Sequence, residues 1–373
     1  MTFCLNGSRP GSTDSSALQA SLLPQISIII PVCNATHTIG WLLDSIQQLD
    51  YPSDRYEVLV IDNNSTDDLE SAVAAYPVKL LHEHAVQSSY AARNLGIRQA
   101  RGEILAFTDA DCLVHPHWLR CLQAAFHDPM VGGAAGSVYG VEPARSWVEA
   151  VLNRHRHMSP VRYSPSGDRV RAALKRSFKR PTRRLSRLLM WLGLITYYDD
   201  PRLPSLPLAP TSNVAYRREA FEKVGLFDAT CFGGGDVEFA IRLQQQSDMK
   251  LIAVPDAIVY HRHRATLRQL WRVYTRYNIS RITHIERYLG LDNNVRRQIV
   301  IESLAHLIIG IPWSLAKLGF RALRATLVGS PYPLYTQEMI VNLVMLISAH
   351  FASIRACNLL RQGHREDLWT RPS

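Results

Sequence analysis

The chain has 373 residues, 47% of them hydrophobic, enough to bury a sizeable core in one or two domains. Lys and Arg number 42 against 32 Asp and Glu, and the formal charge of +10 fits an anionic partner: nucleotide phosphates, an acidic membrane surface or nucleic acid. Six cysteines without a C-x-x-C pair argue against a disulfide framework or structural zinc site and favour a reducing compartment.

Residues 1–24 carry Ser, Gly and Pro but no basic start followed by an apolar core, and read as a flexible leader rather than a signal peptide. From Gln25 the pattern alternates. Ile26 to Pro31 is a continuous β-branched run, as for a strand covered on both faces. Thr36 to Leu49 has Ile39, Leu42, Leu43 and Ile46 at helical spacing. Strand Tyr56 to Ile61, helix Thr66 to Tyr76, strand Val78 to Leu81, helix Ser89 to Arg101 and strand Ile104 to Thr108 follow. Such alternation predicts an α/β fold with a mainly parallel sheet and helices on both faces. No Gly-rich loop follows the first strand, which argues against a G-x-G-x-x-G dinucleotide site and against a P-loop.

Past a strand at Val131 to Tyr139 the pattern loosens, and 140–210 reads as an insertion. Nine basic residues from Arg169 to Arg187 interleave there with leucines, as in a helix lying on an anionic membrane. A solvated helix or loop is the alternative. Order returns with a strand at Ser212 to Tyr216, a helix at Arg217 to Val224, a Gly-rich turn and a helix from Asp236 to Gln246. Residues 266–373 are helical and apolar. The charge-free runs Leu304 to Ala316 and Met339 to Ile354, of 13 and 16 residues, fall short of the roughly 20 a span needs. Interfacial helices or a buried helical pair are expected.

The chemistry concentrates where strands leave the core. Asp109 and Asp111 follow the fourth strand with only Ala110 between them. Two such acids repel unless a cation sits between them and the ligand, so a hard divalent ion shared with substrate phosphates is one reading. A plain turn is the other. Asp62 closes the second strand in D-N-N-S, which also makes an Asx turn. Four H-x-H pairs occur, at His82/His84, His115/His117, His155/His157 and His261/His263, and on a strand that spacing puts both rings on one face.

Five segments in order, PVCNATHTIGWLLDSI, VIDNNSTDD, SSYAARNLGIRQARGEILAFTDADC, TSNVAYRREAFEKVGLFD and GGGDVEFAIRL, resemble an inverting family-two glycosyltransferase of the GT-A fold over residues 25–265. The resemblance implies that Asp62 reads a uracil, with Asn64 and Ser65 shaping its loop, and that Pro31, Cys33 and Asn34 contact the nucleoside. Cys33 stands where an aromatic residue is usual. Arg93 is placed beside the diphosphate, where a guanidinium fork fits phosphate oxygens; a surface salt bridge is the alternative, and Asn94 braces a loop. Asp109 and Asp111 hold the metal, Mn²⁺ or Mg²⁺, and His261 joins its shell or meets the diphosphate. Asp236 is the base that deprotonates the acceptor hydroxyl, or else a helix N-cap, with Glu238 next in line. Gly235 replaces the usual glutamate, a change expected to widen the acceptor pocket.

The expectation is thus a metal-dependent hexosyltransferase moving sugar from a UDP-sugar to a glycan or lipid-linked hydroxyl in polysaccharide or glycolipid synthesis. It would be cytoplasmic, peripheral on an anionic membrane surface and without a nucleic-acid partner. A nucleotidyltransferase would want a Gly-rich basic loop after the first strand, which is absent. A non-catalytic nucleotide-sugar-binding protein would need no base.

Overall fold

The computed structural model describes residues 23–155, 209–231, 233–289, 293–305 and 333–362, with scattered positions between 307 and 319. In chain order the first elements are β1 (Ile26–Val32), α1 (Thr36–Gln47), β2 (Tyr56–Asp62), α2 (Leu69–Val73), β3 (Lys79–His82), α3 (Ser89–Gln99) and β4 (Ile104–Phe107). Then come β5 (Cys112–Val114), α4 (Trp118–Ala124), β6 (Val131–Gly140), α5 (Trp147–His155), β7 (Val214–Arg217), α6 (Arg218–Val224) and α7 (Gly235–Gln246). The chain continues through β8 (Lys250–His261), α8 (Leu267–Leu289), α9 (Asn293–Ala305) and α10 (Pro333–Arg361).

The strands form one sheet in the order β3-β2-β1-β4-β7-β6-β8-β5. Neighbours β3, β2, β1 and β4 run parallel, as do β6 and β8, whereas β7 and β5 pair antiparallel with their neighbours. Ile26, Ile28 and Ile30 of β1 enter one hydrophobic cluster and Ile29 the other. Burial on both faces is why this strand reads as an unbroken apolar run. Helix α1 covers the first face through Ile39, Leu42, Leu43 and Ile46; α3 covers the second through Tyr90, Ala92 and Ile97. Buried Asn213 ties the far half together. Its amide donates to the carbonyls of Ser137 and Ala257, where the β6–β8 register shifts, and its oxygen accepts from Trp118 Nε1.

Four details depart from the sequence reading. Helix α2 is shorter than expected, because the Asp68 side chain caps it by accepting from the Ser71 N–H at 3.2 Å. Strand β5 and helix α4 were not expected. The run from 339 to 354 is only the middle of the 29-residue α10. Within it Gln337–Arg361 is long and apolar enough to cross a membrane by length and composition, with a mean hydropathy of 1.6, although 44% of that window is buried against the rest of the protein. A buried polar bond, His350 Nδ1 to Ser303 Oγ at 3.2 Å, joins α10 to α9. Residues 1–22 of the leader and the basic stretch 169–187 lie outside the described residues, as do five positions of the run 304–316.

The C-terminal helices are not a separate body beside the site. Leu270 and Tyr274 of α8 share a cluster with Val148, Val151 and Leu152 of α5 and Val341 of α10. The same helix lies beneath the Gly-rich turn before α7.

Candidate active site

The exits of β1, β2, β3 and β4 lie side by side at one edge of the sheet, since Val32 pairs with Asp62 and Asp62 with His82. Asp62 is buried, accepting from the Ser65 N–H on Oδ1 at 3.0 Å, with His82 Nδ1 3.5 Å from Oδ2. Burial alone would raise its pKa, but the bonds from Ser65 and His82 outweigh that and leave the carboxylate below its ordinary value. Asn34 and Asn64 hold left-handed backbones, at φ 55° and 61°, a conformation asparagine tolerates. Both act within the loops. Asn34 Oδ1 accepts from the Thr66 N–H at 2.7 Å, and Asn64 Oδ1 lies 3.0 Å from His84 Nδ1. Cys33 is exposed, and Pro31 lies opposite Ile61 in the β1–β2 ladder.

Beside Asp62 opens a recess of about 420 Å³ lined by Ser65, Asp67, Asp68, Leu69, Glu70, His82 and His84. The rings of His82 and His84 stack at 5.5 Å and 16°, as their one-residue spacing predicted. Their place in this wall was not foreseen, although H-x-H at a strand end carried the signal.

At the β4 exit the two acids diverge. Asp109 Oδ1 meets Arg93 Nη2 at 2.5 Å. Arg93 is buried, so this is not the surface salt bridge weighed from the sequence, and its Nε has no hydrogen-bond partner among the described residues. A buried, orphaned donor beside a carboxylate fits an anionic ligand oxygen. Asp111 instead faces His261, Oδ1 to Nε2 at 3.4 Å, with Arg264 Nη1 at 3.9 Å from Oδ2. Antiparallel pairing of β5 with β8 sets Cys112 opposite His261 and makes this contact.

Ligand atoms of Asp111, Cys112 and His261 lie within 4.8 Å of one another. Burial, with the charges of Asp111 and Asp109, raises the Cys112 thiol well above its ordinary pKa. The oxygen and nitrogen of Asp111 and His261 are therefore the ligands suited to Mn²⁺ or Mg²⁺. Of the three sequence-predicted metal residues, Asp111 and His261 come together, while Asp109 is held by Arg93. Asn94 braces as expected, exchanging two hydrogen bonds with the Phe227 backbone.

Asp236 sits in the first turn of α7, half-buried, its Oδ1 accepting from the Val237 N–H at 3.0 Å and 3.5 Å from the Tyr90 hydroxyl. Burial raises its pKa, opposed by the Val237 N–H and the charge of Arg93. The N-cap seat belongs to Gly234, at φ 68°, so Asp236 is not the cap. Gly235 does not open the pocket either. A Cβ there would stand 2.8 Å from Tyr90 Cζ, so the space is filled by that ring. Glu238 is no second base. It is 1% exposed and held by Arg242 at 2.6 and 2.8 Å and by the Tyr288 hydroxyl. Tyr277 of α8 is in electrostatic reach of both Asp236 and Asp109.

A mixed, mainly parallel sheet with its acids at the strand exits and a helical C-terminal region is the GT-A glycosyltransferase fold. The solved mannosyltransferase PcManGT from Pyrobaculum calidifontis, in complex with GDP-Man and Mn²⁺, has a similar fold. It superposes with a TM-score of 0.50 at 21% identity, over 95% of this chain and 89% of its own. The family model for glycosyl transferase family 2 matches residues 27–225, and the chain belongs to that family. Glycosyltransferase AglE of Haloferax volcanii is 43% identical over 104 residues, 26% of this chain and 34% of its own. Validoxylamine A glucosyltransferase of Streptomyces hygroscopicus subsp. jinggangensis is 26% identical over 257 residues, 63% of this chain and 53% of its own. The chain thus spans about a third to a half of the length of these two relatives.

Proposed function

We propose that the protein transfers a hexosyl group from a nucleoside diphosphate sugar, a UDP-sugar, to an acceptor hydroxyl of a glycan or lipid-linked glycan, with inversion at the anomeric carbon. The observation that carries this reading is a set of three differently served carboxylates, Asp111 with His261, Asp109 with Arg93, and Asp236, which feels the charge of that same Arg93. Asp236 takes the proton from the acceptor hydroxyl as it attacks. Its pKa, raised by burial, makes it a stronger base than an exposed carboxylate. Arg93, beside Asp109, would supply positive charge to the diphosphate, and Asp62 would receive the base in the recess beside His82 and His84. A Mn²⁺ or Mg²⁺ ion held by Asp111 and His261 would offset charge on the leaving diphosphate. One displacement from the face opposite the leaving group inverts the centre.

Calorimetry of UDP with and without Mn²⁺ tests the donor and metal parts together. Binding is expected with Mn²⁺ and strong weakening in EDTA; equal affinity in both overturns the metal assignment.

The protein is further proposed to work peripherally on the cytoplasmic face of an anionic membrane. The net charge of +10 supports this, as do exposed apolar side chains on the C-terminal helices: Ile301 at 66%, Ile308 at 69% and Phe351 at 48%. Flotation with vesicles of phosphatidylcholine and phosphatidylglycerol should carry the protein upward at low salt and less at high salt. Protein left at the bottom of the low-salt gradient refutes the membrane contact.

A further inference from the structure

We propose that Tyr90 is a positioning residue that holds the Asp236 carboxylate in place; the proposal rests on the reading of Asp236 as base. Tyr90 lies in the first turn of α3, behind the cap made by Ser88, and is 7% exposed. Its ring covers Gly235 closely enough that any Cβ there would fall 2.8 to 3.0 Å from three ring carbons. On its other sides lie Phe227, with centroids 5.8 Å apart, and the Arg93 guanidinium, 5.4 Å from the ring centroid. A buried phenol needs a hydrogen-bond partner. Among the described residues that partner is Asp236, whose Oδ1 is 3.5 Å away and whose backbone also interacts with the phenol oxygen.

Residues three apart on a helix share a face. Tyr90 and Arg93 use that spacing to reach Asp236 and Asp109 respectively, so one turn of α3 spaces the proposed base from the proposed donor site. Glycine at 235 is what lets the ring come this close. Burial and the charge of Asp236 raise the Tyr90 pKa well above its ordinary value. The phenol therefore stays protonated and can donate its proton to the carboxylate in a hydrogen bond, which makes it a holder of the carboxylate and not a second base.

The test is the Asp236 titration, read by carbon-13 NMR on protein labelled at aspartate Cγ, with Asp236→Asn identifying the resonance. The other groups facing Asp236 are Arg93 from α3, Tyr216 from β7, Cys231 before α7 and Tyr277 from α8. Burial raises Tyr216 and Cys231, and the phenol of the exposed Tyr277 ordinarily lies far above the carboxylate range, so none of these three titrates there. His284 of α8, beneath Gly234, is lowered by burial to about 4 and is untouched by the substitution.

Tyr90→Phe keeps the ring packing and removes the donor to the ionised form. The midpoint should rise, by less than the roughly one pH unit of a full-strength hydrogen bond to a charged group, because 3.5 Å is a long contact. The acid limb of turnover should move with it while the KM for donor holds. Gly235→Ala, which forces the ring away without touching the phenol, should shift the midpoint in the same direction. An unmoved midpoint in Tyr90→Phe overturns the proposal, and if Asp236→Asn is inactive the base reading survives that failure. A shifted midpoint in an enzyme whose Asp236→Asn variant still turns over overturns both.

Discussion

Asp236→Asn is expected to abolish transfer and leave donor affinity nearly unchanged. The amide keeps the shape of the carboxylate and can still accept from the Val237 N–H and the Tyr90 hydroxyl, but it cannot take up a proton. General-base catalysis is typically worth about 10²–10⁴-fold, so turnover should fall at least that far. The donor is assigned to a separate set, Asp62, Arg93, Asp109 and Asp111, none of which the substitution alters. Stability gives an independent sign. Because burial raises the folded-state pKa of Asp236, the folded protein holds this proton more tightly than the unfolded chain. Stability therefore declines as pH rises from the ordinary carboxylate value through the raised one. Asparagine carries no such cost. The variant should melt at or above wild type at pH 7, with that advantage gone below the ordinary carboxylate pKa. Nucleoside diphosphate release with acceptor, donor affinity by calorimetry, and melting at two pH values decide the matter. Turnover close to wild type would remove Asp236 from the chemistry.

What the sequence carried well was everything that periodicity or a short motif encodes. Strands β1, β2 and β4 are buried on both faces, so their apolar runs are unbroken, and α1 and α3 show their buried faces at helical spacing. The exits of those strands put Asp62, Asp109 and Asp111 at the sheet edge where they were expected. Contacts made by distant pairing were harder to read. Asp111 meets His261 only because the three-residue β5 pairs antiparallel with β8, and so short a strand has no pattern of its own. Tyr90 stood in plain view within S-S-Y-A-A-R-N, but its partner Asp236 is 146 residues away in sequence. Gly235 looked like a missing side chain because sequence shows what a residue lacks, not which neighbour fills the space. Glu238 is the opposite case. Its Arg242 partner is four residues on, a spacing at which helix side chains meet, so the pairing was readable and was overlooked.

Removing that carboxylate should cost stability rather than chemistry. Glu238→Ala is expected to destabilise the fold by about 3–5 kcal/mol, the usual loss when one partner of a buried ion pair is deleted. The pair is enclosed, with side chains 1% and 12% exposed, and the guanidinium binds both carboxylate oxygens. Without Glu238 the Arg242 charge stays buried, held by the backbone carbonyls of Val224 and Leu226 and the Phe239 ring, while the Tyr288 hydroxyl loses this acceptor. The carbonyl and hydroxyl contacts join α7 to the turn after α6 and to the end of α8, so the loss would be felt as loosened docking of the C-terminal helices on the catalytic domain. Set against a typical total of about 5–15 kcal/mol for a folded domain, it is a large fraction. Turnover per folded molecule should stay near wild type at low temperature, because Glu238 is sealed away from the cleft that Asp236 faces. Urea unfolding and turnover measured on the same preparation read the two effects separately. A variant of unchanged stability with lost turnover would reverse the roles of these two carboxylates, making Glu238 the base and Asp236 the scaffold.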